Sequence, residues 1–285
     1  GASIQQDAAS PDTGWTTPET GPSGQEVLTT LNWGDAQHLL LRPADLPPML
    51  SNLFRTPVAR YIDEAPFVSE ESQPTVQEKN HLSEEVASLK GLLESGLPLK
   101  IPAHTRRRVL LDFEDYLCAF TRLQTYGGKG GQISIGWAES LFHSFEYDGV
   151  KGHRDEIESK YFHGRTDLYH PAEGICTFPA LWWNCGRYVQ VTVETQEDAL
   201  HIQALNFEET RYPMEREDQL DTGLSEWNAI SNMMWRTLQM CAHETFMDCP
   251  YYEQLQYGGD TRVQMLVTYA ATRDARLPRK TLRSF

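Results

Sequence analysis

Residues 248–260 read Asp-Cys-Pro-Tyr-Tyr-Glu-Gln-Leu-Gln-Tyr-Gly-Gly-Asp, a run with three carboxylates, three tyrosines and two glycines. Carboxylates exchange protons and grip hydroxyls, and tyrosine rings stack on the apolar face of a sugar. Core filling does not explain the cluster, because Asp and Glu are almost never fully buried unless paired. A structural account covers two of the acids: Asp260 could cap a following helix, and Asp248 could pair with an arginine such as Arg262. It leaves Glu253, between tyrosines, without a task. A carboxyl partly enclosed by aromatic rings would hold its proton near neutral pH, as a general acid must. Pro250 predicts a reversal of the chain, and Gly258-Gly259 a second bend that brings Asp248 and Asp260 back towards Glu253.

These residues need helices on both sides. Trp227, Ile230, Met234, Thr237 and Cys241 recur every three or four residues, which predicts a helix with a buried stripe, and Ser225 is placed to cap it. A second helix is expected from about Asp260, with Val263, Leu266, Val267 and Ala270 as its apolar face, and a third from Asp274. Upstream, the period is that of strands. Segments 109–113, 116–125, 132–137, 164–169, 174–183, 187–194 and 201–210 are short, apolar or alternating, and separated by Gly, Asn and Asp turns. This pattern predicts a β-sandwich. Residues 26–104 carry frequent prolines, which favours short elements, with one helix expected over 83–97. Residues 1–25, rich in Gly, Pro, Ser and Thr, read as a flexible lead-in. The expected order is thus lead-in (1–25), irregular segment (26–104), β-sandwich (105–222) and helical part (223–285). The fold class is α+β and multidomain. Three such helices cannot bury a large core alone, and the last pattern is unfinished at Phe285. The chain is therefore expected to be the N-terminal part of a longer protein.

The 285 residues carry a formal net charge of −15, which argues against nucleic acid as a partner, since phosphate neutralisation needs clustered Lys and Arg. No apolar run is long enough to span a bilayer. The N-terminus begins Gly-Ala-Ser without a signal-peptide pattern, so the compartment stays open. Five cysteines, an odd number without Cys-x-x-Cys spacing, argue against a disulfide framework and a structural zinc site. Gly127–Gly131 lacks the Gly-Lys-Ser/Thr ending of a phosphate loop and reads as a hairpin turn. His243-Glu244 is half of a zinc-protease motif, with Met247 where the second histidine would stand. Trp182-Trp183 could form a sugar platform, but aromatics in a β domain more often fill its core, and core is the expectation. No cofactor and no metal are expected.

The run Asp248-Cys249-Pro250, Glu253, Tyr257, Gly259-Asp260 resembles the signature of the α-L-rhamnosidases of glycoside hydrolase family 78. Gly136-Trp137-Ala138-Glu139 and Gly186-Arg187-Tyr188-Val189 resemble strands of the β-sandwich that precedes the catalytic domain in those enzymes. The resemblance covers roughly residues 105–285. It implies that the sandwich is followed by the first helices of an (α/α)6 toroid, here truncated, and an inverting mechanism. It implies Glu253 as the general acid, Asp248 and Asp260 as carboxylates that hold sugar hydroxyls, and Tyr257 as the aromatic beside the ring. The general base would be a glutamate beyond Phe285. The implied partners are a rhamnosyl glycoside as substrate and the remainder of the same protein, and this portion alone is expected to be inactive. The competing expectation, from another class, is a non-catalytic carbohydrate-binding or scaffold module.

Overall fold

The computed structural model describes residues 5–7, 44–65, 74–146, 149–218 and 223–285. The strand-like runs expected over 27–41 lie outside them. The described residues form ten strands and four α-helices: β1 (Gln5–Asp7), β2 (Leu53–Arg55), β3 (Val58–Asp63), α1 (Val86–Ser95), β4 (Leu99–Ile101), β5 (Arg106–Gly127), β6 (Gln132–Ala138), β7 (Arg165–His170), β8 (Ile175–Pro179), β9 (Asn184–Glu194), β10 (Leu200–Glu209), α2 (Ser225–Cys241), α3 (Gly258–Ala271) and α4 (Arg276–Ser284). No helix among the described residues is long and apolar enough to cross a membrane.

The organising element is β5, one strand of 22 residues where the sequence predicts two. Its pairing with β9 shifts register between Asp112 and Leu117. At that irregularity Glu114 takes a positive φ of 61°, and the Asp112 carboxylate accepts a hydrogen bond from the Glu114 N–H at 2.7 Å. A bulge of this kind bends the strand and sharpens its twist. Before the bend β5 lies between β3 and β9. After it, β5 lies between β8 and β10. One strand therefore serves two leaves. The first runs β1-β7-β6-β9-β5-β3, and the second runs β8-β5-β10 with β2 and β4 on the far side of β10. This is a β-sandwich, closed at one corner by a shared strand.

Between the leaves, period-two alternation turns Val189, Val191 and Val193 of β9 inwards to meet Leu111, Leu123, Ile133, Trp137 and Phe207. Trp137 stacks on Phe113 with ring centroids 5.6 Å apart and meets Phe207 edge-on at the same distance. Its indole N–H donates to Thr121 Oγ1 at 3.2 Å, so this buried donor is not left orphaned. Full burial of each such large side chain contributes about 1.5–3 kcal/mol. Helix α1 covers one end with Leu89 and Leu92. It stops where Gly96 adopts φ 64°, the left-handed conformation that lets its N–H reach back to the last carbonyls.

The outer face of the first leaf holds a buried ionic knot. Asp112, inaccessible to solvent, accepts from Arg60 Nη1 at 2.7 Å and from Arg187 Nε and Nη2 at 2.8 and 3.0 Å. Arg187 is thus a structural residue here. Its neighbour Gly186 has φ 149°, and a Cβ there would stand 2.5 Å from the Ala138 carbonyl oxygen.

Helix α2 docks by its C-terminal end. In α2 only the last turns, with Leu238, Met240 and Cys241, are buried. Of the expected buried stripe, Trp227, Ile230, Met234 and Thr237 are exposed and Cys241 is buried. The same holds for α3. Val263 and Leu266 face outwards, and its buried positions are Thr261, Thr268 and Ala271. The spacing identified a common face correctly but could not say whether anything covers it. Ser225 is the first residue of α2, and Leu224 holds the cap position without a side-chain cap bond. Met240, Met247 and Tyr251 pack with Cys118, Trp183 and Cys185 of the sandwich, forming the seam between the β and helical parts.

Candidate active site

The seam leads directly into the 248–260 turn. After α2 ends, Ala242 and Phe246 form an isolated bridge. The chain then closes a loop. The Asp248 N–H donates to the Leu255 carbonyl at 2.8 Å, and the Leu255 N–H returns a bond to Asp248 Oδ1 at 3.1 Å. The Gln254 N–H donates to the Cys249 carbonyl at 3.1 Å, and Gln254 itself sits at φ 59°. The sharp bend therefore falls at Gln254. Gly258 and Gly259, expected to supply it, are the opening residues of α3.

Contacts from several strands fix this loop to the sandwich. The buried Tyr251 hydroxyl donates to the Trp137 carbonyl at 2.8 Å. The Cys185 thiol donates to the Pro250 carbonyl at 2.9 Å. Arg165 Nη2 donates to the Tyr252 carbonyl at 2.8 Å, while its guanidinium lies 5.0 Å from the Tyr251 ring centre. The Trp182 indole N–H donates to Gln254 Oε1 at 3.1 Å. From the helical side, Gln264 Nε2 of α3 donates to the Met247 carbonyl at 2.6 Å. A loop carrying reactive groups on a rigid scaffold is the usual design of a working site.

Of the three carboxylates, Glu253 meets Tyr257 directly. The tyrosine hydroxyl donates a short hydrogen bond to Glu253 Oε2. The phenol is pushed above its ordinary value, first by that bond to Glu253, then by burial, then by the charges of Glu253, Asp248 and Asp260. Asp248 behaves in the opposite way. Burial favours its neutral form, but the Cys249 and Leu255 N–H groups outweigh this and hold the carboxyl below its usual value. Asp248 is thus engaged by its own loop and not by Arg262. Asp260 lies in the first turn of α3, where its charge opposes the positive end of the helix dipole. It is not the cap, a position held by Tyr257.

One expectation is corrected. Glu253 is exposed, and Tyr252 and Tyr257 beside it are exposed as well, so the tyrosines do not enclose the acid. Trp182-Trp183 also divides. Trp183 is buried and stacks on His243 with centroids 4.2 Å apart, whereas Trp182 is 55% exposed against the turn. Sequence spacing missed Arg165, which is distant along the chain and reaches the turn only through β7. It also missed Glu139, which accepts from the Tyr116 hydroxyl at 3.1 Å and from Lys151 Nζ at 2.9 Å. The second was within reach, since Glu139 ends one of the strand segments singled out above.

No family model matches the sequence, and no curated protein does. Solved structures do match. The chain is similar to the GH78 family rhamnosidase of Bacillus sp. GL1, with 19% identity and a TM-score of 0.57, over 69% of this chain and 20% of that one. It is also similar to the rhamnosidase from Klebsiella oxytoca with rhamnose bound, with 17% identity and a TM-score of 0.57, over 84% of this chain and 44% of that one. The chain therefore spans a fifth of the first and under half of the second. At these identities the likeness is one of fold, and in fold the chain resembles the α-L-rhamnosidases of glycoside hydrolase family 78.

Proposed function

We propose that this chain is the acid-bearing portion of an inverting glycoside hydrolase that releases terminal α-L-rhamnose, or a close analogue, from glycosides or oligosaccharides. The observation that carries the reading is the Glu253–Tyr257 hydrogen bond on an accessible loop tied to the sandwich, with Asp248 and Asp260 near enough for their charges to act on the same phenol. In this reading Glu253 protonates the leaving oxygen, and its bond from Tyr257 orients the carboxyl. Asp248 and Asp260 accept hydroxyl bonds from the sugar; a charged acceptor makes such bonds about twice as strong as a neutral one. Tyr257 packs beside the ring. Helices α2, α3 and α4 are the first of an (α/α)6 toroid. The general base lies elsewhere in the complete protein, about 6.5–9.5 Å from the acid, so that a water fits between base and anomeric carbon.

The test is Glu253→Gln in the complete protein, assayed on aryl α-L-rhamnosides of graded leaving-group acidity. The amide keeps the shape and loses the proton. A drop in kcat of about 10²–10⁴-fold is expected on poor leaving groups, shrinking for dinitrophenol, which needs little protonation. Equal slowing on all leaving groups would remove Glu253 from the role. Absence of hydrolysis by the unsubstituted protein, with sugar binding retained, would favour a binding module.

A further inference from the structure

Two cysteines meet on the sandwich where the helical part docks. Register pairs Cys118 of β5 with Cys185 of β9 on adjacent antiparallel strands. Leu117, one residue earlier, belongs to the core between the leaves. Alternation therefore turns Cys118 and its partner to the other face, into the seam with Trp183, Met240, Met247 and Tyr251. The Cys118 carbonyl accepts from the Thr210 N–H at 2.9 Å, on the β10 side. A strand residue directs its N–H and C=O to the same edge, so towards β9 the two cysteines form a pair without mutual backbone bonds. Opposed residues of that kind have Cα atoms about 4.5 Å apart and the closer side chains of the two pair types. A disulfide requires about 4.4–6.8 Å between Cα atoms, with both side chains directed to one side. The register supplies both conditions.

The same two thiols hold the helical part. The Cys185 thiol donates to the Pro250 carbonyl at 2.9 Å, and the Cys118 thiol donates to the Met240 carbonyl at 3.6 Å. The first acceptor lies in the candidate turn and the second in the last turn of α2. A disulfide sulfur carries no hydrogen, so joining the pair would take both donors away. The remaining cysteines are placed differently. Cys176 lies in the core between the leaves, Cys241 ends α2, and Cys249 is in the turn.

We propose that Cys118 and Cys185 are a disulfide site, whose oxidation withdraws both thiol donors from the helical part and loosens the turn over residues 248–257. The oxidant is a small disulfide such as oxidised glutathione. The Cys185 sulfur attacks one of its sulfurs, and the first glutathione leaves as a thiol with the Cys185 proton. The Cys118 sulfur then attacks the mixed disulfide at Cys185, and the second glutathione leaves with the Cys118 proton. Two protein thiols are oxidised and one disulfide is reduced to two thiols. Both cysteines are buried, and burial pushes the Cys118 thiol well above its usual value, so the closed seam protects the reduced pair. Exchange takes place while the seam is open. Opening is local, because α2 is held to the sandwich by its last turns alone. The proposal stands independently of the hydrolase reading, since no atom of Glu253, Asp248, Asp260 or Tyr257 takes part.

The test incubates the protein with oxidised glutathione in urea just below its unfolding transition, then returns it to buffer. Alkylation after denaturation and peptide mass spectrometry map the sulfurs. Cys118 joined to Cys185 is expected, and a dithiol reductant is expected to restore all five free thiols. Amide hydrogens of the 248–257 peptide are expected to exchange about threefold faster or more in the oxidised protein than in the reduced one. Cys185→Ser keeps a hydroxyl donor for Pro250 and cannot form the bond, so its exchange is expected to stay slow after the same treatment. Cys118→Ser is the second variant should that one not fold. Free Cys118 and Cys185 after oxidation, or either joined to another cysteine, overturns the proposal. A Cys118–Cys185 bond with unchanged exchange in the turn overturns it equally, because the thiol donors would then hold nothing.

Discussion

Tyr251→Phe isolates the link between scaffold and candidate site. The substitution keeps the ring and its packing in the seam with Met240 and Met247, and keeps the Arg165 guanidinium over the ring face. It removes a single hydroxyl, whose 2.8 Å bond ends on the Trp137 carbonyl. Tyr251 is 6% exposed and Trp137 fully buried, so water does not readily replace the lost donor. A neutral hydrogen bond contributes about 0.5–1.5 kcal/mol net, and an orphaned buried acceptor costs about 1–3 kcal/mol. The expected loss is about 2 kcal/mol. At about 2–4 °C per kcal/mol for a domain of this size, that is a fall of about 4–8 °C in Tm. Chemical denaturation followed by tryptophan fluorescence reads the global effect, and hydrogen exchange of the 248–257 peptide reads the local one. Faster exchange in that peptide is expected, because the loop loses the hydrogen bond of its buried tyrosine to the sandwich while those from Cys185, Arg165 and Trp182 remain. A change below about 0.5 kcal/mol with unaltered exchange would refute the claim that this hydroxyl anchors the turn.

Other expectations follow from the same geometry. His243 is buried against Trp183, and burial, aided by the positive charge of Arg211, depresses its pKa from 6.5 to about 4 despite its bond to the Met240 carbonyl. An imidazole that titrates lower in the folded state than in the unfolded one stabilises the protein above pH 6.5. That contribution, about 3 kcal/mol, is lost as pH falls from 6.5 towards 4. Urea titrations across that range should show the loss, and His243→Gln should flatten it; an unchanged slope would contradict the assignment. Arg187→Met leaves the inaccessible Asp112 with Arg60 alone as its ionic partner and should destabilise by about 3 kcal/mol by urea titration. Gly186→Ala forces a Cβ to within 2.5 Å of the Ala138 oxygen at φ 149°. A loss of about 3 kcal/mol or more, or failure to fold, is expected, and wild-type stability would show that the strands relax freely.

The composition of residues 248–260 by itself singled out the turn as the candidate site. Acids, tyrosines, proline and glycines in one short run have few structural explanations, and local chemistry survives in sequence. Alternation along segments such as 187–194 likewise made the sandwich legible, because a strand with one buried face must repeat every two residues. Other features needed the tertiary structure. The bend that makes β5 one strand shared by two leaves depends on Asp112 and Glu114 meeting across a bulge, and no residue type announces it. The outward stripe of Trp227, Ile230 and Met234 shows the limit of periodicity: spacing says which residues share a face, and packing partners decide whether that face is buried. The exposure of Glu253 depends in the same way on where its neighbours are placed, not on their aromatic character. Arg165 and Trp137 meet the turn only because two different strands bring them there. Contacts between residues so far apart along the chain leave no local pattern in a single sequence, since each depends on register and on the path of the whole sheet.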